Sequence, residues 1–135
     1  MPRWFHILSR RVRLLLLPVV CGVLACNAPF IPVPPPDNVF VQETLTDGSG
    51  NSRIVWITQG KPDTRAAGAR FFIFNDALKS GVIVDAAADG SYVAPPLEGS
   101  MGDHVLVSFT APSGEDSEVA CRVLTEGDPA PACPH

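Results

Sequence analysis

Four cysteines (Cys21, Cys26, Cys121, Cys133) and three histidines (His6, His104, His135) are the side chains best suited to nucleophilic, redox or metal chemistry in this sequence. None of the cysteine spacings makes a Cys-x-x-Cys redox pair. Structural zinc sites are tetrahedral. Cys133-Pro134-His135 offers only two ligands, with His104 the sole other imidazole after residue 25, so neither a metal nor another cofactor is expected. Nucleophilic hydrolysis requires a Ser or Cys beside a His that an acid holds in place. His104 follows Asp103 directly, but no nucleophile is placed near it by the sequence, and the Glu115-Asp116 pair and Glu118 sit in a turn-like stretch as solvated carboxylates. Asp85, Asp89 and Asp103 could gather around calcium, which takes about six to eight oxygens. Asp in Asp-Gly and Gly-Asp turns, however, ordinarily serves its own backbone. No phosphate-cradling Gly loop, HExxH pair or nucleophile elbow is present. These residues point to a non-catalytic protein.

The charge distribution narrows the partners. Acidic groups outnumber basic ones 14 to 10, a formal net charge of -4. Arg3, Arg10, Arg11 and Arg13 all precede the first long apolar run, and the first acid is Asp37. Beyond residue 25 the ten basic groups therefore fall by four to six, against all 14 acids, and the net charge is -8. So acidic a body disfavours nucleic acid and anionic lipid as partners, because each phosphate contact needs a cation. The cationic residues 1–13 followed by the uncharged run Leu14–Ala25 have the order of a secretory signal. A membrane span needs about 20 apolar residues, whereas this run is interrupted by Pro18 and fades at Asn27-Ala28-Pro29.

The end of that run, Val23-Leu24-Ala25-Cys26, resembles the lipobox of bacterial lipoproteins. The resemblance implies cleavage between Ala25 and Cys26 and attachment of a diacylglyceryl group to the Cys26 thiol. Two or three acyl chains, at about 0.8 kcal/mol per buried methylene, hold a protein on a bilayer stably. Asn27, where an Asp would favour retention in the inner membrane, makes the outer membrane the expected location by the same resemblance. A soluble periplasmic or secreted domain is the alternative.

Residues 26–37 read as the lipidated Cys and a tether. Five prolines between Pro29 and Pro36 fix φ and remove amide donors, which favours an extended, semi-rigid spacer. Residues 38–125 alternate short apolar runs with turn chemistry. Strands are expected over Val39–Leu45, Arg53–Thr58, Arg70–Phe74, Gly81–Val84, Ser91–Ala94, His104–Thr110 and Glu118–Leu124. Val105, Val107 and Phe109 share one face, as do Val119, Cys121 and Val123. Pro95-Pro96 ends the fifth strand, and residues 126–135 form a Pro-rich tail. Seven short strands in this length predict an all-β, immunoglobulin-like sandwich.

Ala88-Asp89-Gly90-Ser91-Tyr92, Gly102-Asp103-His104-Val105-Leu106-Val107 and Gly114-Glu115-Asp116-Ser117 resemble the landmarks of a bacterial immunoglobulin-like repeat. The resemblance runs from Arg70 to Leu124 and implies fold far more than activity. A transthyretin-like sandwich shares these cues. Outside the cytoplasm the even pair Cys121 and Cys133 tends to oxidise, and a bridge between them would staple the tail to the last strand. The expected function is that of an envelope lipoprotein anchored in the bilayer through acylated Cys26, binding another envelope protein or a polysaccharide. The alternative is an outward-facing carbohydrate-binding module using Trp56 or Phe72. The period and density of Trp56 and the Phe71-Phe72-Phe74 group fit a core better, with one of Phe71 and Phe72 facing out.

Overall fold

A computed structural model describes residues 32–134. Its first hairpin joins β1 (Asn38–Thr46) to β2 (Ser52–Gly60) through nine directly opposed pairs, from Asn38 with Gly60 to Thr46 with Ser52. Asp47 builds the turn: its carboxylate accepts from the amides of Ser49 and Asn51, each at 2.9 Å. Such an Asx turn lets a short side chain replace backbone partners.

The remaining strands are β3 (Arg70–Asn75), β4 (Ser80–Asp85), β5 (Tyr92–Val93), β6 (Leu97–Glu98), β7 (His104–Thr110) and β8 (Ala120–Val123). A single 3-10 turn spans Thr64–Ala66, and no α-helix occurs among the described residues. One sheet is β1-β2-β5, with β6 also on β2, and the other is β4-β3-β7-β8; both are antiparallel. The chain is a β-sandwich with the strand order of immunoglobulin-like domains, in which the first two strands share one sheet and the third, fourth and last two share the other. The strand beyond the expected seven is β6, which pairs with β2 immediately after Pro95-Pro96. Those prolines end one edge segment without preventing the next, because proline is tolerated where no ladder donor is needed.

Alternation along each strand fills the space between the sheets. Phe71 and Ile73 of β3 and Val105, Val107 and Phe109 of β7 meet Phe40, Trp56, Tyr92 and Leu97 of the opposite sheet. The Phe71 ring lies 4.1 Å from that of Tyr92 and 5.3 Å from that of Phe109, centroid to centroid. Tyr92 also lies across Gly60, where any Cβ would run into its ring. The Asp89-Gly90 turn tucks under the 3-10 turn, with Asp63 N–H donating to Asp89 O at 2.9 Å. Gly90 has φ +83°, and a Cβ there would strike the Asp63 carbonyl, so both conformation and space require glycine.

Two segments without strand character of their own seal one seam of the sandwich. The tail pairs with both sheets: Gly127 bridges Phe40 and Ala130 N–H donates to Asn38 O (2.9 Å), while Ala132 bridges Arg122 and Val123 N–H donates to Pro131 O (2.9 Å). The last prolines of the expected tether join the body here, for Pro35 and Pro36 are buried and Val33 O accepts from Glu118 N–H at 3.0 Å. The last strand is shorter than Glu118–Leu124. Val119 lies outside it and is exposed, and Leu124 supplies the core contact. Cys121 and Val123 do share a face, but register sets them opposite Leu106 and His104, on the outer side of the sheet.

Candidate functional site

The residues singled out for chemistry are mostly occupied by local bonds. Asp85 holds Arg70 across the β3–β4 pair at 2.8 Å, and Asp89 accepts from Ser91 N–H and Oγ at 2.9 and 2.6 Å. Asp116 accepts from the Thr110 hydroxyl at 2.6 Å, and Glu115 from Ser113 at 3.2 Å. Among the described residues Asp85, Asp89 and Asp103, the residues considered for calcium, do not gather into one cluster. Cys121 and Cys133 lie at disulfide distance, with Cα atoms 5.4 Å apart. Ala25 and Cys26, with the expected signal peptide, lie outside the described residues.

Asp103 belongs to a network around buried Asn75 that the sequence did not suggest. Asn75, at the end of β3, is fully buried and uses its whole amide. Its Nδ2 donates to Asp103 Oδ2 at 2.9 Å and to Glu98 O at 3.1 Å, and its Oδ1 accepts from Ala77 and Leu78 N–H at 2.9 and 3.3 Å. One side chain thus ties the β3–β4 turn to β6 and to the loop before β7. The Asn75 bond, reinforced by Ser100 N–H, holds the Asp103 carboxyl below its ordinary range. A lowered folded-state pKa adds stability above the unfolded pKa that is lost as pH falls through the folded one. Asp103→Asn is therefore expected to be less stable than the parent at neutral pH, with the gap closing as pH drops below about 4. Urea midpoints of the two proteins across that range test this, and a pH-independent gap would exclude the charge as its source.

Trp56 is not a surface aromatic. It is 1% exposed, and its indole Nε1 donates to Gly99 O at 3.1 Å. It faces the core because Trp56 sits opposite Gln42 and Leu97 on the inner side of its sheet. The Phe cluster divides by the strand period of two: Phe71 is buried, whereas Phe72 is 37% exposed.

Phe72 belongs to an apolar stripe on the outer face of the second sheet. Register sets Phe72 against Ile83 and Phe74 against Leu106. Ile83 is 57% exposed, and Phe74 and Leu106 are half-buried. The stripe reaches the edge strand β4, which among the described residues pairs with β3 alone. From Ser80 to Val84 that edge carries no charge and no proline, which leaves unpaired backbone groups ready to accept another strand. The Arg70–Asp85 ion pair closes one end, beside a shallow groove of about 360 Å³ lined by Gly68, Arg70, Phe72, Thr110 and Pro112. The opposite edge of this sheet is covered by the tail and by Val33. Sequence alone placed Phe72 and Ile83 in expected strands, with one of Phe71 and Phe72 facing out, but a strand becomes an edge only through pairings made elsewhere.

Fold and surface together define an immunoglobulin-like β-sandwich with one covered and one open edge on its β4-β3-β7-β8 sheet. No protein-family model matches the chain, and neither curated proteins nor solved structures yielded a match.

Proposed function

We propose that this chain is a non-catalytic binding module of the cell envelope, held on the bilayer through acylated Cys26, that takes an extended segment of another envelope protein onto β4. The open, uncharged β4 edge beside Phe72 and Ile83 carries this reading. Strand addition obtains affinity from main-chain hydrogen bonds and specificity from alternate side chains on the sheet face. Here the incoming strand would extend the β4-β3-β7-β8 sheet and lay apolar side chains beside Ile83 and Phe72. The net charge of -8 beyond residue 25 favours a partner that is neutral or basic around its docking segment. The anchor rests on the lipobox resemblance. A carbohydrate-binding role loses its best residue with Trp56 in the core.

The test uses the full chain in intact bacterial cells, with a photo-reactive aromatic residue replacing either Ile83 or Ser49, the latter in the far β1–β2 turn. A discrete adduct from position 83 and none from 49 is expected, and Ile83→Lys should reduce recovery of that partner on the order of tenfold, since a charge on an edge opposes strand pairing. Because Ile83 is largely exposed, this substitution should leave stability within about 0.5 kcal/mol. Labelling with a palmitate analogue in the same cells is expected to require Cys26. Equal adducts from both positions would remove the edge from the reading, and label persisting in Cys26→Ala would remove the anchor.

A further inference from the structure

We propose that Cys121 and Cys133, once reduced, form with His104 a zinc-binding site on the outer face of the β7–β8 hairpin. The sheet itself assembles the ligands. Leu106 opposes Cys121 and His104 opposes Val123, so His104 and Cys121 stand on one face of adjacent strands, two residues apart along the ladder. Cys133 is brought to them by the tail, whose Cys133 N–H donates to Cys121 O at 3.2 Å and whose Ala132 bridges Arg122. An imidazole nitrogen and the two sulfurs all lie within 4.8 Å of one another. Zn–S bonds of about 2.3 Å and Zn–N bonds of about 2.0 Å at tetrahedral angles need ligand atoms roughly 3.5–3.8 Å apart.

Chemistry selects the ion. Two thiolates and an imidazole favour a borderline-soft cation over magnesium or calcium, which prefer oxygen. Three protein ligands leave a fourth position for water, and exposed His104 gives the ion access from solvent. When Cys121 and Cys133 are bridged the site is closed to metal, because both sulfurs are committed to each other. A dithiol opens it by thiol–disulfide exchange: the sulfur–sulfur bond takes two electrons and two protons, and the dithiol becomes a disulfide. Zinc then displaces one proton from each thiol. The ion and the bridge would pin the same tail to the same strand, one in reducing and the other in oxidising surroundings.

Cobalt(II) titration of the purified full chain carrying Cys21→Ser and Cys26→Ser tests this, so that only the pair in the body remains. Reduction uses a phosphine, which takes oxygen from water as the two thiols form and does not compete strongly for the metal. One cobalt per reduced chain is expected, with thiolate-to-cobalt charge-transfer absorption and tetrahedral visible bands that zinc abolishes. His104→Ala should weaken binding by at least the roughly 10–100-fold that loss of an outer partner costs a metal site. Zinc should also raise the melting temperature of the reduced chain and leave that of reduced His104→Ala nearly unchanged, a readout that holds even where reduction loosens the body. Absence of charge-transfer bands in the reduced chain, equal affinity in His104→Ala, or equal binding by the oxidised chain would each overturn the assignment.

Discussion

Trp56→Ala is expected to lower the unfolding free energy of the sandwich by about 4 kcal/mol, within the range for large aromatic truncations in a core. The indole is almost wholly enclosed, in one cluster with Phe40 and Leu97, and loses both its transfer energy and its packing when removed. Collapse around the void is hindered because Trp56 lies mid-strand, held between β1 and β6 by register. The indole N–H also satisfies Gly99 O, and a carbonyl left without a partner adds about 1–3 kcal/mol where water cannot reach it. Trp56→Phe separates the two contributions: it retains much of the ring but forfeits that bond, so its loss should be smaller, about 2 kcal/mol. Urea unfolding followed by circular dichroism measures both variants. A Trp56→Ala midpoint near the parental one, at unchanged m, would mean that the indole does not fill the core.

Replacing both Cys121 and Cys133 with Ala should cost about 3 kcal/mol if they are bridged, the chain-entropy value for a loop of similar length; their sequence separation is 12. For a body of about 100 residues that corresponds to a fall in melting temperature of roughly 12–24 °C. The effect should be spatially uneven. Ala130 N–H is held by Asn38 O and Val123 N–H by Pro131 O, so both depend on the tail staying in place. Amide exchange at these two positions should accelerate far more than at Ile73 in the middle of β3. The measurement is made with a chelator present, so that no metal substitutes for the bridge. Uniform acceleration across the body would show that the cysteines act on global stability without holding the tail.

What could be read from the chain depended on how local the determining contacts were. The β7 face of Val105, Val107 and Phe109 followed from period-two alternation, since a strand shows its buried side within its own few residues. The break between the strands Val39–Leu45 and Arg53–Thr58 followed from turn chemistry at Asp47-Gly48-Ser49-Gly50-Asn51, which is equally local. Leu124 was misplaced behind Val119, Cys121 and Val123 because the face that an amphipathic strand buries is fixed by its partner's register. Strand β6 was hidden by the prolines before it. Asn75 reads as a turn residue, and its bonds to Glu98 and Asp103 come from segments over 20 positions away. In the candidate site, the outward direction of one Phe was legible. That β4 is an edge was not, because edges are defined by what fails to pair with them.

The sealed seam has a mechanical consequence. A pull transmitted through Val33 to Asp37 would not simply peel β1 from its neighbour. It reaches the β4-β3-β7-β8 sheet through Glu118 N–H on Val33 O and through Arg122, 3.9 Å from Asp37, and the other sheet through Asn38, itself clamped by Ala130. Tension is thus shared between the two layers at its point of arrival, and the β4 edge, on the far side of its sheet, remains outside the path of the load.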